Sequence, residues 1–331
     1  MEYLRHADST MTIKEWLEYW FEVYAKRNIK QSTAISYIGY INNHFVPQIG
    51  EYSLSEINTN LLQEFFNNRM DFGGRKCGPL SPKTLHNMKL MLHKSLKKAV
   101  ELELLQRNYA EFVELPRQSK PNMRVLNVNE QRQLITTLRH TNEKLYIGAM
   151  ISLATGLRLG EVLGLKWSDI DYNNSMLHIR RTVNRLCTID GDTKTEIVVG
   201  TPKSDSSVRD IPFNFTIQKD IEEYYNKSLK ILGKKILKSD DYVLSLRYGH
   251  PVEPKTMQTA FKRIVSEANI NETNFHALRH TFATRAIEKG VDVKTLSVLL
   301  GHADISTTLN RYAHVLDDQK RRTMDILLSD Y

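Results

Sequence analysis

Six residues able to do phosphoester chemistry follow one another along the chain: Arg158, Lys203, His276, Arg279, His302 and Tyr312. Tyr312 supplies a phenol. A free phenol titrates near ~10, so it attacks a phosphodiester only when a base or a strong positive field favours its ionised form. Arg158 and Arg279 supply planar, permanently charged guanidiniums that hold two nonbridging phosphate oxygens at once, which an ammonium does less well. Lys203 sits in the polar turn Thr201-Pro202-Lys203-Ser204-Asp205. From the tip of a hairpin it can protonate a departing hydroxyl, provided nearby cations and exclusion of water lower its pKa. His276 and Arg279 are three apart in a helical segment, share a face and can address one phosphate. His280 is expected to point elsewhere and to pack or cap. Glu161, three residues after Arg158, can hold that guanidinium in place. Each residue alone has an ordinary reading as a surface arginine, a turn lysine, or a packing histidine or tyrosine. Their joint order is what points to attack on a phosphodiester.

The elements that must position these groups read as follows. Ile13, Trp16, Leu17, Trp20, Phe21 and Tyr24 recur at helical spacing behind Thr12, predicting a capped amphipathic helix over 12–28. A second helix is expected from Ser32 to just before Pro47 and a third over 58–70, ended by Gly73 and Gly74. Ser81-Pro82 marks the start of a long helix toward Leu105 that carries Lys83, Lys89, Lys94, Lys97 and Lys98. Residues 115–121, Leu-Pro-Arg-Gln-Ser-Lys-Pro, are polar, basic and bounded by proline, and predict an interdomain linker; Arg117 and Lys120 on it would lie along any DNA passing between domains. Helices are expected over 129–140, 143–155 and 159–167, then strands at 176–179, 196–199 and 208–212, with helices again from Thr216. The fold class is therefore mainly α with a small β-sheet: a helical domain followed by a mixed α/β domain.

Composition narrows the partners. A formal charge of +8 and a pI near 9.2 favour a polyanion through counterion release. Cys77 and Cys187 are the two cysteines, far apart in sequence, which argues against a disulfide framework or a thiolate zinc site and suits a reducing cytosol. No apolar run reaches the ~20 residues that span a bilayer, and residues 1–10 lack the apolar core of a secretion signal. The expected location is cytoplasmic.

Arg158, Lys203, His276 with Arg279, His302 and Tyr312 resemble, in order and approximate spacing, the active-site pattern of the tyrosine recombinase (phage integrase) family. The segments Thr155-Gly156-Leu157-Arg158-Leu159-Gly160-Glu161, His276-Ala277-Leu278-Arg279-His280-Thr281 and Leu300 to Val315 carry the similarity. It implies a helical, SAM-like core-binding domain at 12–106 after an extension at 1–11, a linker at 107–122, a catalytic domain at 123–316 and a C-terminal tail at 317–331. It also implies roles. Tyr312 attacks to form a 3′-phosphotyrosine link and a free 5′-hydroxyl, and Arg158 and Arg279 hold the phosphate. Lys203 is the general acid, His276 assists proton transfer and His302 supports the transition state by hydrogen bonding. Lys83, Lys89, Lys94, Lys97, Arg117 and Lys120 become DNA-binding candidates.

The resemblance implies double-stranded DNA held in a C-shaped clamp, a Holliday-junction intermediate, and a homotetramer whose subunits exchange the tail, for which Met324, Ile326, Leu327 and Leu328 are suited. It implies no cofactor and no metal, since the covalent link conserves the phosphoester energy, and accessory bending or directionality factors are possible partners. Residues before Thr12 leave no room for the arm-binding domain of some integrases, so either a simpler enzyme or a truncated one is expected. The long insert over 182–200 looks more like integrases of phages and conjugative transposons than compact chromosome-resolving recombinases. Three alternatives stay open: a chromosome- or plasmid-resolving recombinase, a type IB-like topoisomerase, and a DNA-binding relative without catalysis.

Overall fold

In the computed structural model, the described residues are 10–74, 77–117, 123–141, 143–188, 195–200, 207–233, 237–245, 249–313, 315 and 324. The chain divides into two compact units, Met1–Pro121 with Leu186–Lys194, and Asn122–Arg185 with Thr195–Tyr331.

In the first unit Thr12 caps helix α1 (Ile13–Trp20) in a reciprocal box with Glu15: the Glu15 amide donates to Thr12 Oγ1 at 3.2 Å and the Thr12 amide donates to Glu15 Oε2 at 3.0 Å. A π-turn (Phe21–Ala25) and a 3₁₀ turn (Lys26–Asn28) continue it, so the predicted 12–28 span is helical but not uniformly α. The next helix, α2 (Gln31–Tyr40), was expected to stop before Pro47. It instead runs through a π-turn (Ile41–Phe45) into α3 (Val46–Ile49), where Pro47 sits in the first turn and has no hydrogen bond to lose. Helix α4 covers Thr59–Phe72, and α5 covers Pro82–Glu101 behind the Ser81 cap, shorter than the expected reach to Leu105. The indole of Trp16 donates to the buried Ser95 hydroxyl at 2.9 Å, pinning α1 to α5 inside an aromatic-rich core. The expected linker begins later than position 107: Tyr109–Phe112 form a 3₁₀ turn, and Ala110 and Val113 are buried in this same core.

The second unit is built around α7 (Glu143–Thr155), which is apolar almost all round and buried accordingly. Around it stand α6 (Val128–Thr141), α8 (Leu159–Gly164), α9 (Phe215–Leu232), α10 (Pro254–Glu267), α11 (His276–Glu288) and α12 (Val293–Leu300). Residues 305–313 are also helical. One antiparallel sheet has the order β1 (Ile170–Asp171), β2 (Met176–Ile179), β5 (Arg209–Pro212), with Leu177 opposite Ile211. A second pairs β3 (Thr182–Cys187) with β4 (Thr195–Gly200), so the predicted insert over 182–200 is framed by a β-hairpin. Strand β3 escapes a periodicity reading because Val183 is its one buried residue; its partner strand, not a buried face, defines it. Among the described residues no helix is long and apolar enough to cross a membrane.

Candidate active site

Helix α11 is a buried helix that carries charge. Ala277, Leu278, Ala283 and Ile287 pack inward, yet so do Arg279 and His280, so those polar groups need partners. Arg279, 1% exposed, donates from Nη1 to the Gly156 carbonyl at 2.8 Å, and from Nη2 to the Leu300 carbonyl at 2.7 Å and to His302 Nε2 at 2.9 Å. A guanidinium only donates, so Nε2 of His302 accepts, and the proton of its neutral ring sits on Nδ1, 2.7 Å from Thr308 Oγ1.

The end of α12 collects the cations. Arg209 Nε donates to the Leu299 carbonyl at 2.7 Å, and Arg158 reaches the Leu300 and Gly301 carbonyls at 3.4 Å each. Together with Arg279, three guanidiniums meet the unsatisfied carbonyls and the negative end of one helix, which offsets part of their mutual repulsion. Gly301 makes that approach possible: its φ is +63°, and a Cβ there would stand 2.8 Å from Arg209 Nη1. Gly156 plays the matching part, with φ +69° and Phe282 packed where a Cβ would go.

Glu161 is the counter-ion. Its carboxylate takes Arg158 Nη1 at 2.8 Å and the Arg158 amide at 3.0 Å on one side, and Arg209 Nη2 at 3.0 Å on the other. Burial pushes this carboxyl up, but Arg209 and Arg158 outweigh burial and hold it below the usual carboxylate range. Glu161→Gln is expected to destabilise the fold by on the order of 3 kcal/mol, chiefly by stranding buried Arg209, with a small share from Arg158, whose side chain is 37% exposed. Denaturant unfolding at neutral pH checks this. The wild-type advantage over the glutamine variant should be full above about pH 4.5 and shrink as acid protonates the folded-state carboxylate.

Tyr312 is 1% exposed, in a small core with Ala283, Ile287, Leu296 and Leu300, and burial raises its pKa while Arg279 and Arg311 oppose the rise. Its hydroxyl lies 2.9 Å from His280 Nδ1, and the His280 and His276 rings meet edge to face at 4.6 Å. The expectation that His280 points elsewhere is therefore corrected: residues 276 and 280 are one helical turn apart and share a face, as 276 and 279 do. Burial first, then neighbouring cations, lowers His276 and His280 to about 4 and His302 to about 3. Their unfolded forms titrate near ~6.5, so protons drive unfolding once pH falls below that value. The melting temperature is expected to drop between pH 6.5 and 4, and His276→Gln should flatten that slope in a pH series.

Of the residues the sequence singled out, Arg158, Glu161, His276, Arg279, His302 and Tyr312 converge around α11 and the end of α12, linked by the contacts above. Lys203 and Lys120 lie outside the described residues, as does the tail over 317–331 apart from exposed Met324. Lys83, Lys94 and Lys97 are exposed and, by helical spacing, share one face of α5 with Leu90, which is 58% exposed. Arg117 is exposed. Lys89 is corrected: its ammonium is used internally, donating to the Val113 carbonyl at 2.5 Å and the Glu111 carbonyl at 3.3 Å. Sequence reasoning missed Arg209 and Thr308. Alternation in β5 offered the signal for Arg209, which shares its buried face with Ile211. Among the described residues no group of three or more His, Cys, Asp or Glu gathers as a metal site.

Comparison with known proteins gives a consistent picture. The model of the phage integrase family matches residues 124–319, and that of the phage integrase N-terminal SAM-like domain matches residues 12–70. A tyrosine recombinase XerC-like protein of Caldanaerobacter subterraneus subsp. tengcongensis is 26% identical over 96% of this chain and 83% of its own length. The ICEBs1 integrase of Bacillus subtilis is 25% identical over 87% of this chain and 75% of its own. Among solved structures, the Tn1549 transposon integrase in complex with transposon right end DNA superposes with a TM-score of 0.80 at 24% identity, covering 96% of this chain and all of that one.

Proposed function

Because the chain belongs to the phage integrase family and is a tyrosine recombinase, a DNA-cleaving and rejoining enzyme, we propose that it integrates or excises a mobile element, using Tyr312 as nucleophile. Residues 12–117 would bind core-site DNA, with the face of α5 bearing Lys83, Lys94 and Lys97 toward phosphates, and residues from 123 would carry the chemistry. The observation that carries this reading is the Tyr312 hydroxyl 2.9 Å from His280 Nδ1, with the His276 ring packed on His280 and the Arg279 guanidinium lowering the phenol's pKa against burial, all within one unit. The names of the Bacillus subtilis and Tn1549 relatives support a mobile element as the source.

The chemistry follows from the groups. Arg279 spends three of its five N–H donors on protein acceptors, leaving two that would address a phosphate together with partly exposed Arg158. The phenol gives up its proton with the assistance of His276 as its oxygen bonds to phosphorus, the bond to the 5′-oxygen breaks, and that oxygen leaves as a hydroxyl with a proton from Lys203. Reversal by the 5′-hydroxyl of a partner strand rejoins DNA without ATP. His302 now accepts from Arg279, so donation to a phosphate oxygen requires its proton on Nε2. The Thr308 hydroxyl, able to donate as well as accept, permits that exchange. The enzyme would act in the bacterial cytoplasm as a tetramer on two sites, passing through a Holliday junction with tail exchange and with accessory factors setting direction.

A nicked suicide duplex carrying the end sequences of the element that encodes the chain tests the proposal. The expected product is a covalent protein–DNA adduct through the 3′ phosphate, with the 5′-hydroxyl strand released. Strong duplex binding without adduct would overturn it in favour of a non-catalytic relative, and relaxation of plasmids lacking those ends would favour a topoisomerase. The XerC-like relative, matching 96% of the chain, favours as second reading a chromosome-resolving recombinase. Recombination at replicon dimer-resolution sites, with none at element ends, would establish it.

A further inference from the structure

Arg209 takes no part in the chemistry above, yet its guanidinium stands where Glu161 and the end of α12 meet. We infer that Arg209 is a positioning residue of the cleavage site: it fixes the Glu161 carboxylate, and through that carboxylate it sets the direction in which Arg158 meets the scissile phosphate. This role rests on the reading of Arg158 as a phosphate ligand.

The bonds of Arg209 define what it can do. Alternation in β5 puts the side chain on the buried face with Ile211, and it is 5% exposed. Four of its five N–H donors are spent on protein: Nε on the Leu299 carbonyl at 2.7 Å, Nη1 on the Ser207 carbonyl at 3.0 Å and on Glu161 Oε1 at 3.4 Å, and Nη2 on Glu161 Oε2 at 3.0 Å. A guanidinium so buried and so occupied holds protein rather than DNA. The Gly301 backbone closes over it, since a Cβ there would stand 2.8 Å from Nη1.

Glu161 passes this constraint to Arg158. Each carboxylate oxygen is shared: Oε1 takes Arg158 Nη1 at 2.8 Å beside Arg209 Nη1, and Oε2 takes the Arg158 amide at 3.0 Å beside Arg209 Nη2. Arg158 itself is 37% exposed, and among the described residues its other side-chain hydrogen bonds are to the Leu300 and Gly301 carbonyls, at 3.4 Å each. Those two lie at the weak end of hydrogen-bond distance, so Glu161 does most to direct Arg158. The place of Glu161 is set in turn by a two-pronged bond from Arg209, a geometry that fixes orientation as well as distance. Through the Leu299 carbonyl, Arg209 also ties that carboxylate to the helix end that receives Arg158 and Arg279. A donor held in advance at the place where charge develops is what speeds phosphoryl transfer.

Two measurements test this, both on Arg209→Lys. Lysine keeps the buried charge beside Glu161, but one ammonium cannot reproduce a planar fork that spans both carboxylate oxygens and the Leu299 carbonyl. In single-turnover cleavage of the suicide duplex at saturating DNA, the rate constant is expected to fall at least about tenfold, toward the hundredfold that misplacement by about 1 Å costs. The fraction of protein that forms adduct should stay near wild type. Reading the rate constant rather than the yield keeps the test valid for a variant of lower melting temperature. A wild-type rate constant, with or without a smaller reacting fraction, is what a merely structural arginine gives and overturns the inference. A second duplex carries sulfur in place of the 5′-bridging oxygen, a leaving group that needs no acid. The deficit is expected to persist on it; its disappearance overturns the inference, because it sets Arg209 behind the general acid, through the Ser207 carbonyl, instead of behind Arg158. The other measurement needs no DNA. Nitrogen relaxation at Arg158 Nε in the free protein is expected to report a rigid side chain in the wild type and a mobile one in Arg209→Lys. An Arg158 equally rigid in both overturns the inference whatever the adduct assay gives. Absence of adduct from the wild type, with Arg158 freed in the variant, supports the positioning and counts instead against the recombinase substrate chosen above.

Discussion

Tyr312→Phe is expected to abolish covalent adduct formation and strand exchange, a loss of at least about four orders of magnitude, while duplex binding persists. The substitution deletes one oxygen and keeps the ring that packs against Ala283, Leu296 and Leu300. Its structural cost is limited to the bond from the phenol to His280 Nδ1, about 1–3 kcal/mol if that buried nitrogen is left without a donor. Loss of chemistry far beyond loss of stability is therefore the signature of a nucleophile. Gel-shift binding, thermal melting and the suicide-duplex assay run on one preparation separate the two. Residual adduct in Tyr312→Phe would move the nucleophile elsewhere.

The second large effect falls on Arg279. Arg279→Ala removes the donor from the Gly156 carbonyl, the Leu300 carbonyl and His302 Nε2 at once, at a site that is 1% exposed. Cleavage is expected to fall at least a hundredfold, as for other preorganised donors aimed at developing charge. Stability is expected to fall too, by about 3–5 kcal/mol, because buried acceptors and a cavity are left behind. Burial and the neighbouring Arg158 lower the Arg279 pKa to about 9, so it remains charged at neutral pH and its loss also changes the field at Tyr312. Arg279→Lys keeps the charge and loses the fork. It should regain stability in part, and cleavage hardly at all, as read by melting and by single-turnover rates. Equal recovery of both would make Arg279 a structural cation only.

The residues of the site were legible in sequence because each is a chemically distinct type at an ordered spacing, and the long amphipathic helices were legible because Thr12, Asn58 and Ser81 cap them. What the one-dimensional pattern hides is who touches whom. The carbonyls of Leu299, Leu300 and Gly301 carry no side-chain signal, yet they gather three guanidiniums. Arg209 reads as a strand charge until its alternation with Ile211 puts it on the inner face. His280 shares a face with His276 at four-residue spacing as well as Arg279 does at three, so spacing alone does not tell which of them turns toward Tyr312. Strand β3 stayed hidden because a hairpin with one buried residue has almost no hydrophobic period. Lys89 and Lys94 look alike in sequence, and only the packing of the turn at 109–112 against α5 shows that one ammonium is occupied and the other faces solvent.

The most direct measurement is to trap the covalent complex on the suicide duplex, digest it with protease and nuclease, and sequence the nucleotide-bearing peptide by tandem mass spectrometry. The expected result is a single modified residue, Tyr312, joined through its phenolic oxygen to a 3′ phosphate. A nucleotide on any other side chain, or a linkage through a 5′ phosphate, would contradict the assignment of this site.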